Sequence, residues 1–283
     1  MEFTGERFTP ECVREIWYEH WHRYAFARPF AAGRRVVDAA CGEGYGSALL
    51  AQGAREVVGV DISTQAVEHA RKRYAGTDNL RFEQGDCTQL ELPDAAYDLV
   101  VSFETLEHVA AQEALIAGFA RILSADGVLI VSSPDKHAYS DVSGFRNEFH
   151  VRELYRGELL ALLTPHFPYV RLYGQKLLFQ SAIWSLSGEA GHAEAVTADL
   201  DGNRVESGLQ YAPLYFIAVC SRRTLDGLPA LALFGDREES VYSHYNHEVR
   251  KNMAAGGRIA ELESDVAALQ AEVERLRLGA ASS

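Results

Sequence analysis

Residues 36–46 read VVDAACGEGYG, from Val36 to Gly46. Two β-branched residues run into an acid, Asp38. Glycines then recur at every second position, Gly42, Gly44 and Gly46, and the apolar run Ala48-Leu49-Leu50-Ala51 follows. The order predicts a buried strand, a tight turn and the start of a helix. Glycine lets backbone come close to a ligand, and a helix N-terminus offers unpaired N–H groups. The stretch therefore reads as a loop that holds a cofactor.

Spacing separates the candidate cofactors. A dinucleotide fingerprint needs G-x-G-x-x-G, but Ser47 stands where its third glycine would be. Asp38 at the strand end would repel a pyrophosphate and attract an amino group. A second strand, Glu56-Val57-Val58-Gly59-Val60-Asp61, ends in an acid 23 residues further on, placed to accept both hydroxyls of a ribose. A third, Leu80-Arg81-Phe82-Glu83-Gln84-Gly85-Asp86-Cys87, brings Asp86 to where an adenine amino group would sit. An amino-acid end, a ribose and an adenine together describe S-adenosylmethionine.

On these three acids at three successive strand ends, residues 34–135 resemble the class I S-adenosylmethionine-dependent methyltransferases. The resemblance implies a Rossmann-like α/β fold, a seven-stranded mostly parallel sheet with helices on both faces. It implies S-adenosylmethionine as cofactor, with contacts from Tyr24, Asp38, Ala40, Gly42, Gly44, Tyr45, Gly46, Asp61, Ile62, Asp86, Cys87 and Phe103. The alternation agrees. Strands are expected near 35–39, 56–60, 80–84, 97–103 and 127–132, helices near 44–52, 63–74 and 112–123. A helix over Glu153–Leu163 follows. Tyr169–Gly174 and Leu214–Cys220 are expected to close the sheet as an antiparallel pair. Residues 187–208 read as an inserted loop.

Composition sets outer bounds. The chain has 283 residues and a formal net charge of −13, which disfavours nucleic acid as a partner. Cys12, Cys41, Cys87 and Cys220 form no CxxC pair, so reduced thiols and a cytoplasmic setting are expected. The start, MEFTGERF, has no apolar leader, and no run approaches the length of a membrane span.

Residues 1–33 are rich in aromatics. Trp17, Trp21 and Tyr24, with Tyr18, His22 and Phe26, fall at helical spacing. Two readings stand: a helix packed on the sheet edge, or a lid over the cofactor with Gly5-Glu6-Arg7 and the His20–Tyr24 run supplying polar groups. The "GER…P" and "EHWHRY" pattern resembles methyltransferases of bacterial cell-surface polysaccharide systems, including the O-antigen chain-terminating type. That resemblance implies a glycan acceptor.

Tyr97–His108, YDLVVSFETLEH, is the fourth strand and its exit, and Phe103 is expected to wall the methionine end of the cofactor. Glu104, Glu107 and His108 follow at i, i+3 and i+4, so one helical turn would put them on one face. Two carboxylates and an imidazole suit a divalent ion such as Mg²⁺ or Mn²⁺. With His150 as a distal ligand the set is similar to the metal site of RNA 3′-end 2′-O-methyltransferases. The competing reading has no metal, with Glu107 and His108 satisfying buried backbone groups. A sugar hydroxyl needs a base or a metal before it attacks a methyl group. His150, His108 and Glu107 are the candidate catalytic groups, with His137 as second choice to His150.

Beyond a polar linker at 236–257 the pattern changes. Ile259, Leu262, Val266, Leu269, Val273 and Leu276 form an a/d seam over 258–278, with β-branched residues at a and leucine at d. That choice favours a parallel two-stranded coil, with Glu272 of one chain facing Arg277 of the other. The expectation is thus a methyltransferase domain over 34–235, a helical lid before it and a coiled-coil helix after it that pairs two copies. The favoured activity is O-methylation of a sugar hydroxyl or phosphate. A small natural-product or quinone-like acceptor, or a non-catalytic cofactor-binding scaffold, are the alternatives.

Overall fold

The computed structural model describes residues 15–187, 194–201 and 203–280. The Gly5–Arg7 group and Cys12 lie outside them. The chain divides into two compact units, Met1–Phe234 and Gly235–Ser283.

The first unit carries a seven-stranded sheet. Its strands are β1 (Arg35–Ala39), β2 (Glu56–Asp61), β3 (Leu80–Gln84), β4 (Tyr97–Ser102), β5 (Leu123–Pro134), β6 (Tyr169–Gln175) and β9 (Tyr215–Ser221), in the spatial order β3-β2-β1-β4-β5-β9-β6. The first five are parallel, and β9 runs antiparallel between β5 and β6. Every strand expected from sequence is present. Strand order reverses between β1 and β4, and such a switch opens a crevice at the carboxyl ends of the strands.

The central strands are apolar on both faces because helices cover both. On one side Leu115, Ile116 and Phe119 of α4 (Gln112–Ile122) and Leu159 and Leu163 of α5 (Arg156–Leu163) pack with Val37, Val100 and Leu129. On the other, Tyr24 and Ala27 of α1 (Glu15–Ala31) and Leu50 of α2 (Tyr45–Ala51) pack with Val36, Leu99 and Ile130. α3 (Thr64–Arg73) begins on an N-cap at Ser63, whose hydroxyl accepts from Ala66 N at 3.3 Å. The inserted stretch carries a short hairpin, β7 (Val196–Ala198) with β8 (Val205–Ser207).

In the second unit, the stretch read as linker and coil is one helix, α6 (Ser240–Ala280), with Gly256 and Gly257 inside it. Glycine weakens a helix by about 1 kcal/mol relative to alanine without forbidding it. Pairs such as Arg258–Glu261 at 2.8 Å support the helix across the join. Among the described residues, no helix is long and apolar enough to cross a membrane.

Candidate active site

The loop after β1 bends through three positive φ angles, Ala40 at 62°, Gly42 at 54° and Gly44 at 79°. The glycines in it do different work. A Cβ on Gly42 would meet nothing within 4 Å, so its face is open to a ligand. A Cβ on Gly44 would lie 2.5 Å from the Phe82 ring, and one on Gly46 would lie 2.0 Å from the Tyr24 ring. Gly44 and Gly46 therefore serve packing against the protein itself.

Asp38 ends β1 fully buried. Ser47 Oγ donates to it at 2.6 Å and Tyr24 OH at 3.1 Å. Burial pushes its carboxyl up to about 7, against the pull of these two hydrogen bonds. The serine that breaks the dinucleotide fingerprint is thus the residue that holds Asp38. Asp61 accepts from Gly42 N and Ser63 N, both at 2.9 Å, which fixes its carboxylate against the glycine loop. Ile62 beside it is 64 % exposed, an apolar face at the strand end where a base would stack. Asp86 caps a short turn, accepting from Thr88 N at 2.8 Å, and Cys87 is buried, its thiol pushed up to about 12 by desolvation.

α1 closes over this half-site. Tyr24 stacks edge-on against Phe103 at 4.9 Å and Tyr45 at 5.3 Å, Trp21 packs on Tyr45 at 5.3 Å, and His20 Nδ1 lies 3.1 Å from Tyr45 OH. The same helix also reaches the sheet edge, where Phe26 meets Tyr173 of β6 at 5.1 Å. The packed-helix reading of the aromatic segment is met at Phe26 and Tyr173.

The second half-site lies past β4. Glu104 holds φ at 50° and accepts from Ser132 Oγ at 2.6 Å, with Arg23 Nη2 at 3.4 Å. Glu107 is buried, and its Oε2 has no hydrogen-bond partner. Burial, and then the charge of Glu104, holds its carboxyl well above the usual carboxylate range. His108 Nδ1 lies 2.9 Å from Phe149 O, so Nδ1 carries the proton and Nε2 the lone pair, 3.8 Å from Glu107 Oε1. His150 Nδ1 lies 2.6 Å from Glu153 Oε1, again assigning the proton to Nδ1, while Asn147 Nδ2 donates to Nε2 at 3.0 Å. Tyr139 stacks on His150 at 5.4 Å and Ser140 Oγ donates to Glu153 at 2.5 Å.

Ligand atoms of Glu107, His108 and His150 all fall within 4.8 Å of one another. The fourth residue of the expected metal set, Glu104, is not in that group; its carboxylate turns to Ser132 and Arg23 instead. Glu153, Ser132 and Asn147 were given no role by sequence reasoning, which had Arg23 only as part of the polar run His20–Tyr24. Glu153 alone carried a signal, an acid three residues after His150.

A cavity of about 800 Å³ opens between α1 and the ends of β6 and β9, and Glu107, His108 and His150 are not among its lining residues. Its walls come from α1 (Tyr18, Phe26), the turn after β5 (His137), and the strand ends of β6 and β9, Gln175 and Phe216 among them. His137, unlike His150, lines it.

The doubly wound sheet, with a glycine loop after its first strand, is the Rossmann-like methyltransferase fold. The comparisons bear this out. Residues 31–164 match the model of the methyltransferase domain family. Over 166 residues, 58% of this chain and 63% of the relative, it is 38% identical to a protein of Mycolicibacterium smegmatis named probable S-adenosylmethionine-dependent methyltransferase. It is 30% identical over 124 residues, 40% of this chain and 25% of the relative, to phosphoethanolamine N-methyltransferase 3 of Arabidopsis thaliana. The YcgJ protein of Bacillus subtilis has the same fold, with a TM-score of 0.52 at 20% identity, over 72% of this chain and 100% of that one. The chain spans about three-fifths of the length of the mycobacterial relatives.

Proposed function

We propose that this chain transfers the methyl group of S-adenosylmethionine to a hydroxyl of a saccharide-bearing acceptor. The observation that carries the reading is the His150–Glu153 pair at 2.6 Å, with the buried Glu107 close by. A phosphate acceptor is already an anion and needs no such group, whereas a hydroxyl is a poor nucleophile until its proton has somewhere to go. Glu153 fixes the tautomer in which His150 Nε2 takes that proton once Asn147 moves aside. The sulfonium carries its own leaving group, so the remaining task is alignment and exclusion of water. α1 and the aromatic walls serve both ends.

The cavity supports a sugar. Tyr18, Phe26 and Tyr155 offer flat apolar faces, and Gln180 and Asp135 offer planar polar groups. The resemblance of the first 33 residues to surface-polysaccharide enzymes points the same way.

A second reading adds a divalent ion. The unpartnered Oε2 of Glu107 and one ligand atom each from His108 and His150, all within 4.8 Å, fit one once Asn147 releases His150. Two imidazoles favour Mn²⁺ over Mg²⁺, which prefers oxygen. Such an ion would lower the acidity threshold of a bound hydroxyl, and Glu107, His108 and His150 would hold it.

α6 leaves Ile259, Leu262, Val266, Leu269, Val273 and Leu276 exposed along one seam. We assign that seam to pairing with a second copy.

The experiment is methylation of a cell extract with radiolabelled S-adenosylmethionine, fractionated into glycan, RNA and small molecules, with and without EDTA. Label in the glycan fraction supports the reading. Label confined to small molecules or RNA overturns it, and EDTA sensitivity selects the metal-bearing form.

A further inference from the structure

The cavity wraps the edge of the sheet at the end of β6, and its two sides are unlike. Side chains alternate along a strand, so neighbouring residues of β6 and of β9 face opposite ways. Leu172 and Phe216 join the core cluster on the α5 side, Tyr173 and Ile217 the one on the α1 side. The α5 side carries the polar groups of Asp135, His137 and Tyr155. The α1 side is closed by a strap, residues 228–234, LPALALF, whose last five residues all line the cavity. The strap forms neither helix nor strand and is held at two points. Tyr173 OH donates to Pro229 O at 2.9 Å, and the Phe234 ring stacks on His22 at 5.5 Å and meets Trp17 at the same distance.

The chemistry of the strap side selects its occupant. Leu228 packs against the core, but Leu231 is only half-buried and Leu233 is 72 % exposed. Two polar groups beside them are already engaged, Tyr173 OH by Pro229 O and the Gln175 amide by Arg23 and Glu19 O. A peptide or a second sugar would bring polar groups that alanine, leucine, isoleucine and phenylalanine side chains cannot satisfy. A hydrocarbon chain asks for nothing polar and takes the exposed leucine out of water. The volume agrees, since about 800 Å³ suits a drug-sized ligand rather than one sugar ring. We propose that the α1 side of this cavity holds an aliphatic chain carried by the acceptor, with the acceptor's polar head toward Asp135, His137 and Tyr155. This rests on the saccharide reading for the head and narrows the substrate class to a sugar joined to a lipid chain.

The test is calorimetric titration of the full chain with hexyl, octyl and decyl β-glucoside, each below its micelle-forming concentration. Affinity is expected to rise about threefold to fourfold with each added methylene, the usual worth of a buried one. Leu233→Glu, at an exposed position that leaves the core intact, should weaken octyl glucoside at least tenfold and flatten the series. Leu200→Glu, on a fully exposed leucine outside the cavity, should change nothing. Affinity that ignores chain length overturns the proposal, a result that needs no variant to fold. So does a Leu233→Glu protein with the wild-type slope, because the chain then binds elsewhere. Partition of the radiolabelled extract between water and organic solvent reads the head separately. Label in water-soluble saccharide alone overturns this inference and keeps the saccharide reading. Label in a lipid that carries no sugar upholds the chain site and removes the saccharide reading.

Discussion

The Tyr24 ring fills the space where a side chain on Gly46 would be. A Cβ there would lie 2.0 Å from the ring and 2.1–2.3 Å from its flanking atoms. The glycine at 46 and the tyrosine at 24 are therefore one packing decision made at two places in the chain. Gly46→Ala is expected to destabilise the protein by about 1–3 kcal/mol, the usual cost of overpacking, and to lift α1 from the cofactor loop. Tyr24→Ala costs stability by itself but should make the second substitution nearly neutral. A double-mutant cycle by urea unfolding checks this; additive losses would mean the two residues do not meet.

Asp38 gives a pH signature. Its carboxyl is pushed up to about 7 by burial, whereas the unfolded chain titrates near the ordinary 3.8. Between those values the folded state holds a proton that the unfolded state has released, so stability falls as pH rises through the window. Each unit is worth about 1.4 kcal/mol, which sets the loss at about 2 kcal/mol between pH 5.5 and 7. Asp38→Asn should flatten this dependence in unfolding curves taken across the window. A donor ammonium favours the ionised acid, so wild-type affinity for S-adenosylmethionine should rise over the same range, and calorimetry at the two ends reads it.

Glu153 fixes the His150 tautomer, and both side chains are nearly buried, 8 % and 7 % exposed. Glu153→Gln should lower kcat by roughly ten- to a thousandfold while leaving donor affinity within about twofold, as expected of a group that orients a general base. His150→Ala should do the same or more. A matching loss in His137→Ala, with His150→Ala unaffected, would move the base to the cavity wall. Loss of donor binding in either His150 or Glu153 variant would show that the pair is structural.

Much of this architecture was legible before any coordinates. β1 and β2 are short apolar runs with an acid at or next to the carboxyl end, and period and punctuation are local properties. Asp38, Asp61 and Asp86 stood out because each acid lies at or just past the end of its own strand. What stayed hidden is held by contacts with no local period. Arg23 and Gln175 stand 152 positions apart and meet only because α1 crosses to the end of β6. Ser47 looked like a missing glycine until Asp38 was seen beside it. The metal set was overread for the same reason. Spacing put Glu104 on the face of Glu107 and His108, but its φ of 50° and its bond to Ser132 turn it elsewhere. The linker and coil merged because polarity marks solvent exposure, which a lone helix and a linker share.

The seam of α6 yields the last prediction. In the single chain Glu272 pairs with Arg275 three residues on, at 2.8 Å, instead of reaching Arg277 of another copy. Such an exposed pair contributes little, about 0.2–0.5 kcal/mol, so it would give way at small cost to a g–e′ contact. Six apolar residues at a and d, about 46–65 % exposed, are the stronger drive, because two helices winding together would remove them all from water. Sedimentation of the full chain should give twice the monomer mass at micromolar concentration. Leu269→Lys, at the centre of the seam, should return the protein to monomer with donor binding unchanged. A wild-type monomer would leave the seam without its partner and remove the assignment.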